Sequence, residues 1–235
     1  MQPKLSDAVE SSDAESGMVV ERRFTSSGKD PFDSFDWIEM DAEIRNPDGS
    51  MADTILGVKL PSGYAGVPGK VLAQKYLRKA GVPTHLRKVP EEGVPVWLQR
   101  SEPDTEKLDL LEADERFGGE TDGRELFRRL AGTWTYWGWK HGYFASEADA
   151  RAYFDEMCYI VASQRSAPNS PQWFNTGLHW AYGIEGPAQG HTYIDPVTGK
   201  LEYSTNAYEH PQPHACFIQS VGDSLVGGKD SIMGL

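Results

Sequence analysis

Apolar positions first become periodic at Trp37. In the stretch from Trp37 to Arg45, the residues Ile38, Met40, Ala42 and Ile44 fall on one side. The turn sequence Asn46-Pro47-Asp48-Gly49 follows, then the apolar run from Thr54 to Leu60. Alternation on both sides of a turn predicts a β-hairpin, with scaffold as its role. A helix is predicted from about Lys70 to Ala80, where Val71, Leu72, Lys75, Tyr76 and Lys79 occupy mixed faces and Gly81 is a natural stop. Leu126, Phe127, Leu130, Trp134 and Trp137 recur at helical spacing and predict an amphipathic helix opening near Arg124. Gly138 and Gly142 weaken its end. Ser146-Glu147-Ala148-Asp149 reads as a capping box that starts a second helix, with Tyr153, Phe154, Met157, Ile160 and Val161 on one face. The two helices are expected to pair antiparallel, filled by aromatic side chains.

The stretches between these elements are polar. Residues 1–35 are rich in Ser, Asp, Glu and Gly and poor in large apolar groups, so a disordered or loosely attached arm is expected. Residues 83–123 carry Pro83, Pro90, Pro95, Pro103 and an acidic run from Glu112 to Glu115. They read as a segment that wraps a surface or links two units. From 167 to 223 the chain is dense in Gly, Pro, Asn, His and aromatics. One hairpin is legible there, from His191 to Ile194 and back through Lys200 to Ser204. A short apolar strand, Ala215 to Val221, is expected after Pro211-Gln212-Pro213-His214.

Composition narrows the function classes. The 235 residues carry 35 acids against 23 Lys and Arg, a net charge of −12. An acidic chain repels phosphate backbones, which argues against a sequence-independent nucleic-acid binder. No apolar run reaches the length of a membrane span, and the first residues lack the apolar core of a secretory signal. Two cysteines, Cys158 and Cys216, make no disulfide scaffold, and a reducing cytoplasm is the expected compartment.

Candidate chemistry gathers in the irregular segment. In Ala167-Pro168-Asn169-Ser170-Pro171 the two prolines stiffen the loop and bias Ser170 toward an extended backbone. Such a loop holds one hydroxyl and one amide in place, or simply stops a helix. His210, His214 and Cys216 are close enough in sequence to suggest zinc, but no fourth ligand has standard spacing. Cys216 begins an apolar strand after a rigid turn, where a thiol can be a nucleophile, a redox partner or plain packing. Cys158 lies inside a helix and reads as a small packed hydrophobe. No Gly-rich phosphate loop is present.

Three stretches resemble the adenosylcobalamin-dependent, class II ribonucleotide reductases. They are Ala167 to Leu178, Pro211 to Val226 and, upstream, Leu72 to Pro83. The resemblance covers about 35–235, with two long motifs in the family's order. It implies an α+β fold: an N-terminal α/β domain over 36–110, then, over 124–235, a helical segment leading into the first strand of a ten-stranded α/β barrel that is incomplete in this chain. It implies thiyl-radical reduction of ribonucleotides, with adenosylcobalamin as cofactor and its site mostly outside these residues. It implies that Cys216 is one half of a redox-active disulfide. Ser170 and the Ala215 backbone would contact substrate, and Asp223 and Ser224 would begin a site for a deoxynucleotide effector. Thioredoxin or a similar reductant and the remainder of the reductase are the implied partners, with no nucleic-acid polymer and no membrane. Because the family runs several hundred residues further, the chain is expected to be a fragment or one half of a split enzyme, inactive alone. The competing readings are a non-catalytic assembly subunit of a split reductase and, without the resemblance, a small thiol-dependent or zinc enzyme.

Overall fold

The computed structural model describes residues 17–45, 48, 50–188, 190, 192–195 and 198–210. The expected hairpin is present as β1 (Trp37–Arg45) and β2 (Met51–Pro61), paired antiparallel from Trp37↔Pro61 inward. Between Met40↔Val58 and Ala42↔Ile55 one extra residue enters β2. Gly57 takes a positive φ of 64° there, and its N–H donates to Asp41 Oδ1 at 2.9 Å. A glycine bulge of this kind re-aims the strand. It leaves Ala42, Val58 and Leu60 fully buried on one face.

Helix α1 (Val67–Lys75) lies on that hairpin. It starts three residues earlier than the sequence pattern suggested and ends five earlier. Pro68 sits in its first turn, where a missing N–H costs nothing. At its end both Tyr76 and Leu77 N–H donate to Leu72 O, and Leu77 turns into the core. Gly81, with φ 80°, therefore shapes the connection beyond the helix rather than its cap.

The connection forms short pairings: β3 (Val82–Pro83), β4 (Leu86–Lys88), β5 (Ser101–Pro103), the single turn α2 (Thr105–Leu108) and β6 (Phe117–Gly118). β3 pairs with β6 and β4 with β5. Aromatic donors pin this wrapping segment: Trp139 Nε1 reaches Gly93 O and Trp180 Nε1 reaches Leu98 O, at 2.7 and 2.9 Å.

The helix pair is α3 (Gly123–Lys140) and α4 (Glu147–Ala162). α3 opens on a capping box, Asp122 with Glu125, and α4 on Ser146, whose hydroxyl accepts from Asp149 N–H. Both caps satisfy amides that a helix start leaves unpaired. The core between the helices is mainly Leu126, Phe127, Leu130, Ala131, Cys158, Val161 and Ala162. The expected aromatic filling is present in part: Phe127 is in this core and Trp134 and Phe154 pack against it, whereas Trp137 lines a cleft. One buried cluster joins these helices to Phe32, Val58, Leu60, Tyr64 and Leu72, so the core crosses the boundary expected at 111–123.

The loosely attached arm expected over 1–35 does not hold for residues 17–35. Phe32 is buried, Phe24 stacks on Tyr159 at 5.1 Å, and Met18 bonds across to Tyr143 and Ala145. Carboxylates on α4 supply what the arm's composition lacks. Glu156 accepts from Phe24 N–H, Thr25 N–H and the Thr25 hydroxyl at 2.7–3.0 Å, and Asp155 pairs with Arg22 at 2.7 Å. Residues 1–16 lie outside the described residues.

The chain continues through α5 (Ser170–Asn175), α6 (Leu178–Tyr182) and the hairpin β7 (Thr192–Ile194) and β8 (Leu201–Tyr203). The described residues thus mix helices with four small antiparallel sheets, as an α+β reading requires. The barrel strand expected at 215–221 lies outside them. Among the described residues no helix is long and apolar enough to cross a membrane.

Candidate functional site

Ser170 is not an extended loop residue. It opens α5, with Asn169 as the N-cap and Pro171 in the first turn. A proline disfavours helix in the residue before it, which is the basis for expecting Ser170 extended. The structure instead uses that proline as a helix starter, its other common role. Ser170 is exposed, and its Oγ lies 3.2 Å from the Tyr76 hydroxyl. Tyr76 stacks on Trp173, centroids 5.3 Å apart, and meets Phe174 at 5.5 Å. Trp173 is buried and donates its indole N–H to Pro168 O at 2.9 Å. An exposed hydroxyl pair thus rests on an aromatic layer.

Behind that layer lies a fully buried ion pair, Arg129 with Glu120. Arg129 Nε donates to Glu120 Oε1 at 2.7 Å, and Nη2 to Oε2 at 3.1 Å. The guanidinium also donates to Thr176 O at 2.5 Å and Trp173 O at 3.2 Å. Tyr182 adds its hydroxyl to Glu120 Oε1 at 2.7 Å. Burial pushes the Tyr182 phenol well above its ordinary range, and the Glu120 charge adds to the shift. Gly177, with φ 85°, lets the chain pass this cluster, since a Cβ there would sit 2.5 Å from Arg129 Cγ.

A larger cleft of about 1050 Å³ opens between α3, α6 and the β7–β8 hairpin, lined by Trp137, Tyr153, His179, Trp180, Tyr193 and Tyr208 among others. Burial lowers the His179 imidazole below its ordinary value. His210 stacks flat on Tyr193, centroids 3.7 Å apart. Ser170 lines neither this cleft nor a smaller one beside Asp30 and Arg124.

The other predicted site residues, Ala215, Cys216, Asp223 and Ser224, lie outside the described residues, as does His214. Among the described residues no group of three His, Cys, Asp or Glu side chains could hold a metal ion. Cys158 is buried as expected, and burial raises its thiol well above the ordinary value.

Sequence reasoning missed Tyr76, Glu120, Arg129 and Tyr182 as parts of one arrangement. A signal existed for Arg129. It stands three residues after Leu126 on the apolar stripe of α3, and arginine is rarely buried without a partner. No local pattern marks Glu120 as that partner.

The family model described as class II vitamin B12-dependent ribonucleotide reductase matches residues 39–164, more than half of the chain. Curated relatives named vitamin B12-dependent ribonucleotide reductase include one from Bradyrhizobium diazoefficiens, 58% identical over 89% of this chain. Another, from Agrobacterium fabrum, is 57% identical over 89% of this chain, and one from Rhodopirellula baltica is 28% identical over 89%. The chain spans 17%, 16% and 17% of the length of these three relatives. The match runs from the hairpin through both helices of the pair, the elements that share one core, and the chain belongs to the class II vitamin B12-dependent ribonucleotide reductase family.

Proposed function

We propose that this chain is part of an enzyme that reduces ribonucleotides to deoxyribonucleotides by thiyl-radical chemistry for DNA synthesis, and that it lacks this activity alone. The observation that carries the reading is the family match over residues 39–164; the exposed Ser170 hydroxyl, beside the Tyr76 that stacks on buried Trp173, supplies the candidate substrate contact. Ser170 binds the ribose or its neighbourhood, and the Ala215 backbone adds a second contact. Cys216 donates a proton to the leaving 2′-hydroxyl, which departs as water. Its sulfur then joins a second, remote cysteine as a disulfide, and the two thiols together give up two electrons. Thioredoxin or a similar dithiol returns them. Asp223 and Ser224 take the sugar hydroxyl of a deoxynucleotide effector, which tunes substrate choice.

The relatives are named vitamin B12-dependent, and adenosylcobalamin is the cofactor this reading needs. When bound it supplies the initiating radical. This reading puts the cofactor's site mostly outside the described residues, and Ser170 with its aromatic partners lines neither of the two cavities described.

The test compares Cys216→Ser with Cys158→Ser in the complete reductase. Cys216→Ser keeps nucleotide binding and loses multiple turnover with thioredoxin or dithiol. Cys158→Ser keeps near-normal turnover at a packing cost of about 1 kcal/mol. A Cys216→Ser enzyme that cycles normally ends the redox assignment.

A further inference from the structure

We infer that Arg129 is a positioning residue for the Tyr76–Ser170 hydroxyl pair and so sets how the ribose is held. This deepens, and rests on, the reading of Ser170 as a substrate contact. The two hydroxyls come from segments 94 residues apart, the end of α1 and the start of α5. Each segment is tied from behind to one half of the buried pair.

Glu120 holds the Tyr76 side. Its carboxylate accepts from Arg78 N–H at 2.7 Å, and its own N–H donates to Arg78 O at 2.7 Å, two residues beyond Tyr76. Arg129 holds the Ser170 side through the carbonyls of Trp173 and Thr176, at the far end of the helix Ser170 opens. The Trp173 indole carries the restraint back to Pro168, on the other side of Ser170. The guanidinium fork closes the two halves onto each other. Its planar donors serve four oxygens on three residues at once, more than the three N–H donors of a lysine ammonium can reach in one plane.

Burial alone does not explain the pair. A well-packed apolar set often stabilises a fold as much as a buried ion pair, because of the desolvation cost. What the pair adds here is register between two distant backbone segments.

The complete reductase chain carrying this segment is tested without cofactor, by equilibrium binding of cytidine diphosphate and triphosphate in parallel, with thermal melts alongside. The tighter nucleotide carries the comparison. Arg129→Lys weakens binding by about tenfold and Tyr76→Phe by about threefold, each as loss of hydrogen-bond geometry. The double variant binds no more weakly than Arg129→Lys alone, because both act on the same hydroxyl pair. A purely structural arginine gives a different pattern: a lower melting temperature with unchanged affinity, or losses that add to those of Tyr76→Phe. Either result overturns the proposal. Ser170→Ala separates the levels. Weakened binding there with unchanged Arg129→Lys refutes the Arg129 role alone, whereas unchanged binding in Ser170→Ala removes the substrate reading and this proposal with it. Should Arg129→Lys fail to fold, Tyr182→Phe loosens the same pair more gently. A smaller loss of affinity is then expected, and an unchanged affinity refutes the role.

Discussion

Buried polar and thiol groups divide the single residues into those a sequence reveals and those it hides. Cys158 is legible because it occupies a core position on a periodic helix, and the structure gives it no exposed surface. Burial pushes its thiol well above the ordinary value, so it stays protonated and inaccessible at neutral pH. Iodoacetamide should therefore label Cys158 only after denaturation, read by mass of its peptide; labelling in the folded protein on the timescale of an exposed thiol would contradict the packing. Ser170 is legible as a candidate because prolines flank it, yet its helical backbone is not, since proline both disfavours helix before itself and favours helix starts. Glu120 is hidden altogether. Its meaning comes from Arg129, Tyr182 and the Arg78 backbone, and only the folded chain brings these together.

At the scale of elements, periodicity found the hairpin and the helix pair, while the ordered arm was lost to composition. Averaging over 1–35 hides Phe24, Phe32 and Phe35 among the polar residues before them, and α4 provides acceptors for the arm's amides. Burial alone would raise the Glu156 carboxyl. The Thr25 hydroxyl and the amides of Phe24, Thr25 and Arg23 outweigh it and hold the group below its ordinary value. A lowered carboxylate stabilises the fold above its unfolded value, about 4.3, and that contribution disappears as pH falls through the folded value. Asp155 has the opposite sign. Burial raises its carboxyl despite Arg22, so its protonation relieves a cost as pH falls. The Phe24 and Thr25 amides report on Glu156 rather than Asp155. Their hydrogen-exchange protection, corrected for intrinsic rate, should fall as pH drops below the ordinary glutamate range, while amides in the middle of α3 stay protected. Glu156→Gln should show the low protection already at neutral pH. Protection that persists unchanged to strongly acidic pH in the unaltered chain would exclude this attachment.

Across the whole molecule, the helix pair has no apolar floor of its own. Leu126, Phe127, Leu130 and Val161 pack into one cluster with Val58, Leu60, Tyr64 and Leu72, which come from the hairpin and α1 side. The join is also made by backbone: Lys59 N–H donates to Thr121 O at 2.9 Å, just before α3 begins. The sequence suggested a division at the polar connection because composition changes there, but composition does not record which apolar faces meet. A division there would leave both halves of the cluster exposed. Leu126, Phe127 and Leu130 are fully buried here, and exposing a side chain of that size costs about 1.5–3 kcal/mol. Three such losses together, about 4.5–9 kcal/mol, are comparable to the 5–15 kcal/mol by which a domain is usually stable. Residues 124–235 expressed without 1–123 should therefore show helical circular dichroism without a cooperative thermal transition, and should bind a dye that reports exposed apolar surface. Supplying residues 1–123 as a separate chain should restore cooperativity and suppress dye binding. A sharp, reversible melt of 124–235 alone would mean that the helix pair carries its own core, and the shared cluster would then be a contact between two independent units.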